Sequence, residues 1–242
     1  MEITEDFKKY LSGFFDEDGS ITIEKQKLRY TLRIKFSQSN ENWIYTIKKY
    51  YPYLKKSSTK RDNNKIEYEL RAAGKQIEPI INNLLQYSIL KYEQLLEAKK
   101  FIKLINKRNK SDEKELIYKK LKQLKIESNN KPYERLNIQY ISGLFDAEGS
   151  IGVYKDLRVK ITQKSDIKIL ENIAKLYDNT NKIDNYSIAF YGKNSQNILK
   201  DIKKYCIYKL PQIKAALKYI GSSDKEIRNK YKDIIKNEKL KN

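Results

Sequence analysis

The 242-residue chain has no histidine and a single cysteine, Cys206. Those two absences exclude zinc fingers, His-ligated zinc catalysis, Ser-His-Asp and Cys-His chemistry, and any intrachain disulfide. Cys206, in the segment KKYCIYKL, reads most simply as a small buried hydrophobe. Only eight glycines are present, and none forms a Walker-type phosphate loop. No apolar run approaches the ~20 residues of a membrane span, so no membrane partner is expected. No signal peptide or lipidation motif is visible, and the stretch MEITEDFKKY is acidic where a mitochondrial transit peptide is acid-poor. The chain is expected to be intracellular. Any catalysis must use carboxylates, lysines, polar amides and an oxygen-loving cation such as Mg²⁺.

Acidic residues are also in short supply, 31 against 51 Lys+Arg, for a net charge of +20. The excess runs along the whole chain, which is the electrostatic footprint of nucleic-acid binding. A rival reading is coding bias. Abundant Lys, Asn, Ile and Tyr fit an AT-rich organellar, viral or microbial genome, so charge supports the inference without deciding it.

What decides more is a phrase written twice. YLSGFFDEDGS (Tyr10–Ser20) returns as YISGLFDAEGS (Tyr140–Ser150), with seven of eleven positions identical. Gly13 recurs as Gly143 and Asp18 as Glu148, a constant offset of 130 residues. In the first copy Phe7, Tyr10, Leu11, Phe14 and Phe15 form a helical apolar stripe. Gly19 is the natural stop, entering the left-handed region without strain. Alternation follows. Ile21 and Ile23 oppose Ser20, Thr22, Glu24 and Gln26, and then Tyr30, Leu32, Ile34 and Phe36 oppose Arg29, Thr31, Arg33 and Lys35. Period two with one polar face predicts half-exposed antiparallel strands. A helix over Asn42–Tyr50, strands over Leu54–Lys60 and Lys65–Arg71, and helices from Lys75 and Tyr92 complete the copy.

The second copy repeats the order, with a helix over Glu134–Asp146 and strands over Ser150–Tyr154 and Leu157–Thr162. A helix over Ile167–Tyr177, strands over Thr180–Ile183 and Tyr186–Phe190, and helices over Asn194–Tyr205 and Gln212–Ile220 follow. The expected organisation is a first repeat over 1–105 and a charged linker with one helix over 106–133. A second repeat over 134–221 and a basic tail over 222–242 follow, the tail reading as a solvated surface helix or a phosphate-contacting arm.

Two copies of one domain pair most simply about a pseudo-twofold axis, leaving a monomer with internal symmetry. The small Ser12–Gly13 and Ser142–Gly143 pairs, by analogy with membrane helices, suit the repeated helix to that seam. Its two tips would then bring Asp18 and Glu148 together, where mutual repulsion favours bound divalent cations. Paired metal ions serve in-line attack on phosphodiesters. The rival reading is an ordinary turn, since an acid before glycine at a helix end usually is one.

The motifs LSGFFDEDG (Leu11–Gly19) and ISGLFDAEG (Ile141–Gly149) resemble the pair found in single-chain LAGLIDADG homing endonucleases. The similarity covers about 190 of the 242 residues, leaving out linker and tail. It implies an α+β fold of two pseudo-symmetric αββαββα(α) repeats, each a four-stranded antiparallel saddle-shaped sheet with helices on one face. It implies Asp18 and Glu148 as metal-binding acids, with backbone carbonyls of Glu17 and Ala147 as further ligands. Gln38 and Gln163, at strand ends, match the family's active-site glutamine. Lys91 and Lys209, in KYEQ and KLPQ with Gln94 and Gln212, match its lysine, and Lys75 and Lys193 are rivals. Asp16 and Asp146 are assigned to structure around the helix ends.

On that resemblance the chain is expected to cleave both strands of DNA at a long asymmetric site using Mg²⁺, with Mn²⁺ substituting and Ca²⁺ supporting binding only. Candidate contacts in the first half are Thr22, Glu24, Gln26, Arg29, Thr31, Arg33, Lys35, Lys65, Glu67, Glu69 and Arg71. In the second they are Tyr154, Arg158, Lys160, Asn185 and Ser187. An intron RNA maturase and a cleavage-inactive DNA-binding protein are the alternatives. Intact acids at both motifs argue against the latter.

Overall fold

The computed structural model describes residues 2–27, 29–61, 66–107, 109–154, 156–178 and 183–240. The chain divides into two compact units, Met1–Arg135 and Leu136–Asn242.

In the first unit, helix α1 (Glu5–Asp18) starts where the Thr4 hydroxyl accepts from Phe7 N at 3.3 Å, with Glu5 and Asp6 complementing the dipole. All five residues of its apolar stripe are buried, as the spacing predicts. Strands β1 (Gly19–Gln26) and β2 (Arg29–Gln38) pair antiparallel. Helix α2 (Glu41–Tyr50) follows, and its Trp43 stacks on Phe14 at 3.9 Å and donates Nε1 to the Tyr10 hydroxyl at 2.9 Å. Strands β3 (Lys55–Lys60) and β4 (Ile66–Ala73) complete a sheet of order β1-β2-β4-β3. Leu32, Ile34 and Phe36 are fully buried against the helices, while Thr31, Arg33 and Lys35 point to the other face. After a 3-10 turn, Gly74–Ile77, come α3 (Glu78–Tyr87) and α4 (Tyr92–Ile102).

The second unit repeats this with α6 (Ile138–Glu148), β5 (Gly149–Val153), β6 (Leu157–Thr162), α7 (Ile167–Leu176), β7 (Ser187–Phe190), α8 (Gly192–Ile202) and α9 (Leu210–Gly221). Helix α6 starts later than the expected Glu134, because Asn137 caps it by accepting from Tyr140 N at 2.9 Å. The described sheet has order β5-β6-β7. Most of the expected strand over Thr180–Ile183 lies outside the described residues, as does Lys65.

Each unit adds one more helix. The charged segment forms α5 (Ser111–Leu124), burying Ile117 and Leu121 against α4 and β1. The tail forms α10 (Lys225–Leu240), packed on α9 and β5 with Ile235 buried. The two helices occupy corresponding positions in their units. No helix among the described residues is long and apolar enough to cross a membrane.

The glycine closing each motif helix is needed for a different reason than its conformation. Gly19 has φ −90° and Gly149 φ −77°, ordinary extended backbone rather than left-handed. What excludes a side chain is space. A Cβ on Gly19 would lie 2.0 Å from the Phe15 ring and 2.5 Å from the Phe15 carbonyl oxygen, and one on Gly149 would lie 2.2 Å from the Phe145 ring. Gly19→Ala should therefore destabilise the fold by about 1–3 kcal/mol in urea unfolding, and Gly149→Ala likewise. Equal stability of Gly19→Ala and wild type would mean that Phe15 moves without cost.

Candidate active site

Where α1 ends, one buried lysine gathers the chain's loose carbonyls. Lys91 Nζ donates to the carbonyls of Phe15 (2.8 Å), Asp16 (2.7 Å), Glu17 (3.1 Å) and Gly19 (2.7 Å). A helix C-terminus leaves such acceptors unsatisfied, and an ammonium there also meets the negative end of the dipole. The reverse contact comes from Asp16. Its buried carboxylate accepts from Ile89 N (2.7 Å), Leu90 N (2.9 Å) and Lys91 N (3.1 Å) on the turn entering α4, and from the Ser88 hydroxyl. Burial pulls the Lys91 ammonium below its ordinary value, against the opposing pull of Asp16, Glu17 and Asp18.

The second unit rebuilds this clasp with the corresponding lysine and aspartate. Lys209 Nζ donates to the carbonyls of Phe145 (2.9 Å), Asp146 (2.7 Å) and Ala147 (3.3 Å). The Asp146 carboxylate accepts from Ile207 N (2.7 Å), Tyr208 N (2.9 Å) and Lys209 N (2.8 Å) entering α9. Cys206 stands where the first unit has Ser88. It is buried, as its surroundings predict, with burial pushing its thiol up, and Sγ lies 3.4 Å from the Ser142 carbonyl.

Each clasp fixes the helix end that carries the acid. Asp18 is half-buried and Glu148 exposed, each the last residue of its helix. The glutamines are also matched: Gln38 Oε1 accepts from Ser39 N at 2.7 Å, and Gln163 Oε1 from Ser165 N at 2.5 Å, both side chains buried. Lys75 and Lys193 begin other helices and are exposed, outside the clasps. Gln94 donates to the Leu124 carbonyl at 3.4 Å.

A LAGLIDADG endonuclease model matches residues 11–105, the first motif through α4. Over those residues the chain is similar to LAGLIDADG endonucleases. A probable intron-encoded endonuclease, Cox1-I1b of Schizosaccharomyces pombe, is 27% identical across 83% of this chain. The chain spans about 60% of that relative's length. Two solved LAGLIDADG proteins share the fold. I-CpaMI bound to uncleaved DNA has a TM-score of 0.73 at 15% identity, covering 99% of both chains. I-SmaMI bound to an uncleaved DNA target with calcium ions has 0.71 at 16%, covering 98% of this chain and 99% of that one.

The sheet faces opposite the helices carry the remaining candidates. In the first unit Thr22, Glu24, Gln26, Arg29, Thr31, Arg33, Lys35, Glu67, Glu69 and Arg71 share the polar face by register. Arg33 pairs with Glu24 at 2.8 Å and Lys35 with Glu69 at 2.7 Å. Lys55, Ser57 and Thr59 of β3 join the same face, and Arg61 just beyond grips Glu67. Sequence reasoning passed over them because KKSSTK has no apolar half to mark its alternation. In the second unit Arg158 and Lys160 occupy the positions of Arg33 and Lys35, while Tyr154 and Asn185 are exposed. Ser187 is buried, within 3.2 Å of the Thr162 hydroxyl and donating to the Asn185 carbonyl at 3.0 Å, so it builds the sheet rather than offering a free hydroxyl.

If the clasp holds the helix end, Lys91→Met should leave buried carbonyls unsatisfied and lower stability by about 1–3 kcal/mol in urea unfolding, and Lys209→Met likewise. An unchanged midpoint in both variants would show that the carbonyls do not need the ammonium.

Proposed function

We propose that the protein is a divalent-metal-dependent endonuclease that cleaves both strands of double-stranded DNA at a long, asymmetric site. One observation carries this reading: the same Lys–Asp clasp, in each unit, holds a helix whose last residue is a carboxylic acid. Asp18 and Glu148 are the proposed metal-binding acids, one in each unit.

The donors near each helix end suit a hard cation. They are oxygens, carboxylate from Asp18 and Glu148 and carbonyl from Glu17 and Ala147, and among the described residues no group of three or more His, Cys, Asp or Glu side chains could hold a metal ion on its own. In each unit the carbonyl assigned to the metal is also the one farthest from the lysine ammonium, 3.1 Å for Glu17 and 3.3 Å for Ala147. A bound divalent ion supplies charge neutralisation at the scissile phosphate and an activated water.

The chain's own residues do the rest. Lys91 and Lys209 act as positioning residues, keeping both helix ends in register with the turns beneath them. Gln38 and Gln163, each fixed through Oε1, are the proposed residues of the water network. Arg33, Lys35, Arg158 and Lys160 meet bases and phosphates across the two polar faces. The faces differ in most other positions, which makes the target asymmetric. Unequal acids, one Asp and one Glu, make the two strand cuts unequal in rate.

The test is a library of DNA sites incubated with Mg²⁺. Wild type should cleave, EDTA should stop it, and Ca²⁺ should support binding without turnover. Asp18→Asn should lose cleavage while still binding. Equal cleavage by Asp18→Asn and wild type would remove Asp18 from the mechanism.

A further inference from the structure

The β1–β2 ribbon outruns the core beneath it. Burial on its helix-side face ends with Ile23 and Leu32, and the next rung on that face pairs Lys25 with Tyr30. Helix α5 lies under this overhang. The Glu115 carboxylate binds Lys25 Nζ at 2.8 Å and accepts the Tyr30 hydroxyl, while the Tyr30 ring meets Tyr118 edge-on at 6.0 Å.

Helix α5 is itself tethered on its other side. Glu97 of α4, buried, holds both Lys100 and Lys120 at 2.8 Å. Burial would raise Glu97, but the two ammonium groups hold it below the ordinary carboxylate range. Lys25 and Tyr30 likewise hold Glu115 low. Beside the clasp the ribbon borders open space, a cleft of about 480 Å³ lined by Arg29, Tyr30, Thr31, Leu32, Asn106 and Lys114 among others. The opposite face of the same rungs carries Glu24, Gln26, Arg29 and Thr31.

We propose that Glu115 is a specificity-positioning residue, through which helix α5 props the ribbon and sets the height of Gln26 and Arg29 over the DNA. The proposal rests on the reading that this face contacts DNA. Glu115 acts in two ways. It anchors the overhanging rung, and it neutralises Lys25, which would otherwise add a sequence-blind phosphate contact. In the second unit α10 takes the corresponding place against β5, burying Ile235 instead.

The experiment compares wild type, Glu115→Ala and Glu115→Gln on single-base variants of the site wild type selects, at several salt concentrations. Glu115→Ala should lose discrimination about fivefold or more at the outer base pairs of one half-site only. Its dependence of log K on log salt should steepen by about 0.9 as Lys25 is released. Glu115→Gln, which can still accept from Tyr30, should fall between. A uniform loss at every position, or an unchanged pattern, overturns the proposal.

Amide exchange in the free protein separates this from the DNA reading itself. The Lys25, Gln26, Arg29 and Tyr30 amides should exchange faster in Glu115→Ala, and unchanged exchange overturns the prop whatever the DNA result. A wild type without base preference overturns the specificity role together with the DNA reading, and faster ribbon exchange in the variant would then identify the DNA reading as what failed.

Discussion

The fold depends on an exchange of charges between two helix ends. Asp16 leaves the C-terminus of α1 to collect the N–H groups entering α4, and Lys91 leaves that turn to collect the carbonyls ending α1. Neither charge would be tolerated in the interior alone, because burying an unpaired ion costs several kcal/mol. Together they saturate each other's surroundings: three N–H groups meet the carboxylate and four carbonyls meet the ammonium. Two macrodipoles are met at the same time, anion at the N-terminus and cation at the C-terminus. That the second unit repeats the exchange with Asp146 and Lys209 explains why the motif keeps both acid and glycine. The acid serves the neighbouring helix, and the glycine makes room for the ring of Phe15 or Phe145.

Much of this was legible in the residues, and what was not has physical causes. Alternation from Arg29 to Phe36 reads directly because one face must be buried and the other wet, and the pairing register follows it. The roles of Asp18 and Asp16 could not be separated by chemistry, since both are aspartates within one turn of a helix end. The resemblance, by position in the motif, is what assigned Asp18 to metal and Asp16 to structure. Lys91 was legible as a position but not as a contact, because an ammonium five bonds from its Cα can reach water or a buried carbonyl with equal ease in sequence. Gly19 illustrates the reverse error. Glycine after a helix suggests left-handed backbone, yet here the constraint is a ring four residues earlier. The charged segment after α4 hid its packing because only Ile117 and Leu121 are buried along α5, a stripe too thin to distinguish a docked helix from a solvated one.

The polar sheet faces are less positive than a net charge of +20 suggests. Arg33, Lys35 and Arg61 are each engaged by an acid, Glu24, Glu69 and Glu67. Exposed pairs of this kind contribute little to stability. What they do is hold long side chains in one orientation before any ligand arrives, reducing the ordering cost of binding. An arginine already aligned by a glutamate can turn to a guanine edge or exchange its partner for a phosphate. The acids therefore belong to the reading face as much as the bases, and under the proposed function they penalise indiscriminate phosphate contact. Glu115 extends the same device to the helical side of the ribbon, where it acts on Lys25.

Comparison of the two copies shows where geometry is strict. At the clasp both copies have aspartate, and its carboxylate must lie within about 3 Å of three successive backbone N–H groups. A glutamate there would overreach by one methylene and lose that fit. Two residues on, one copy has Asp18 and the other Glu148, so side-chain length differs between the copies at that position. A group whose partner is fixed protein cannot change length, whereas a group whose partner is a small movable ion can. Under the proposed function, Asp in one copy and Glu in the other is what an exchangeable cation at each tip would permit, and the strict clasp behind each tip is what keeps it in place.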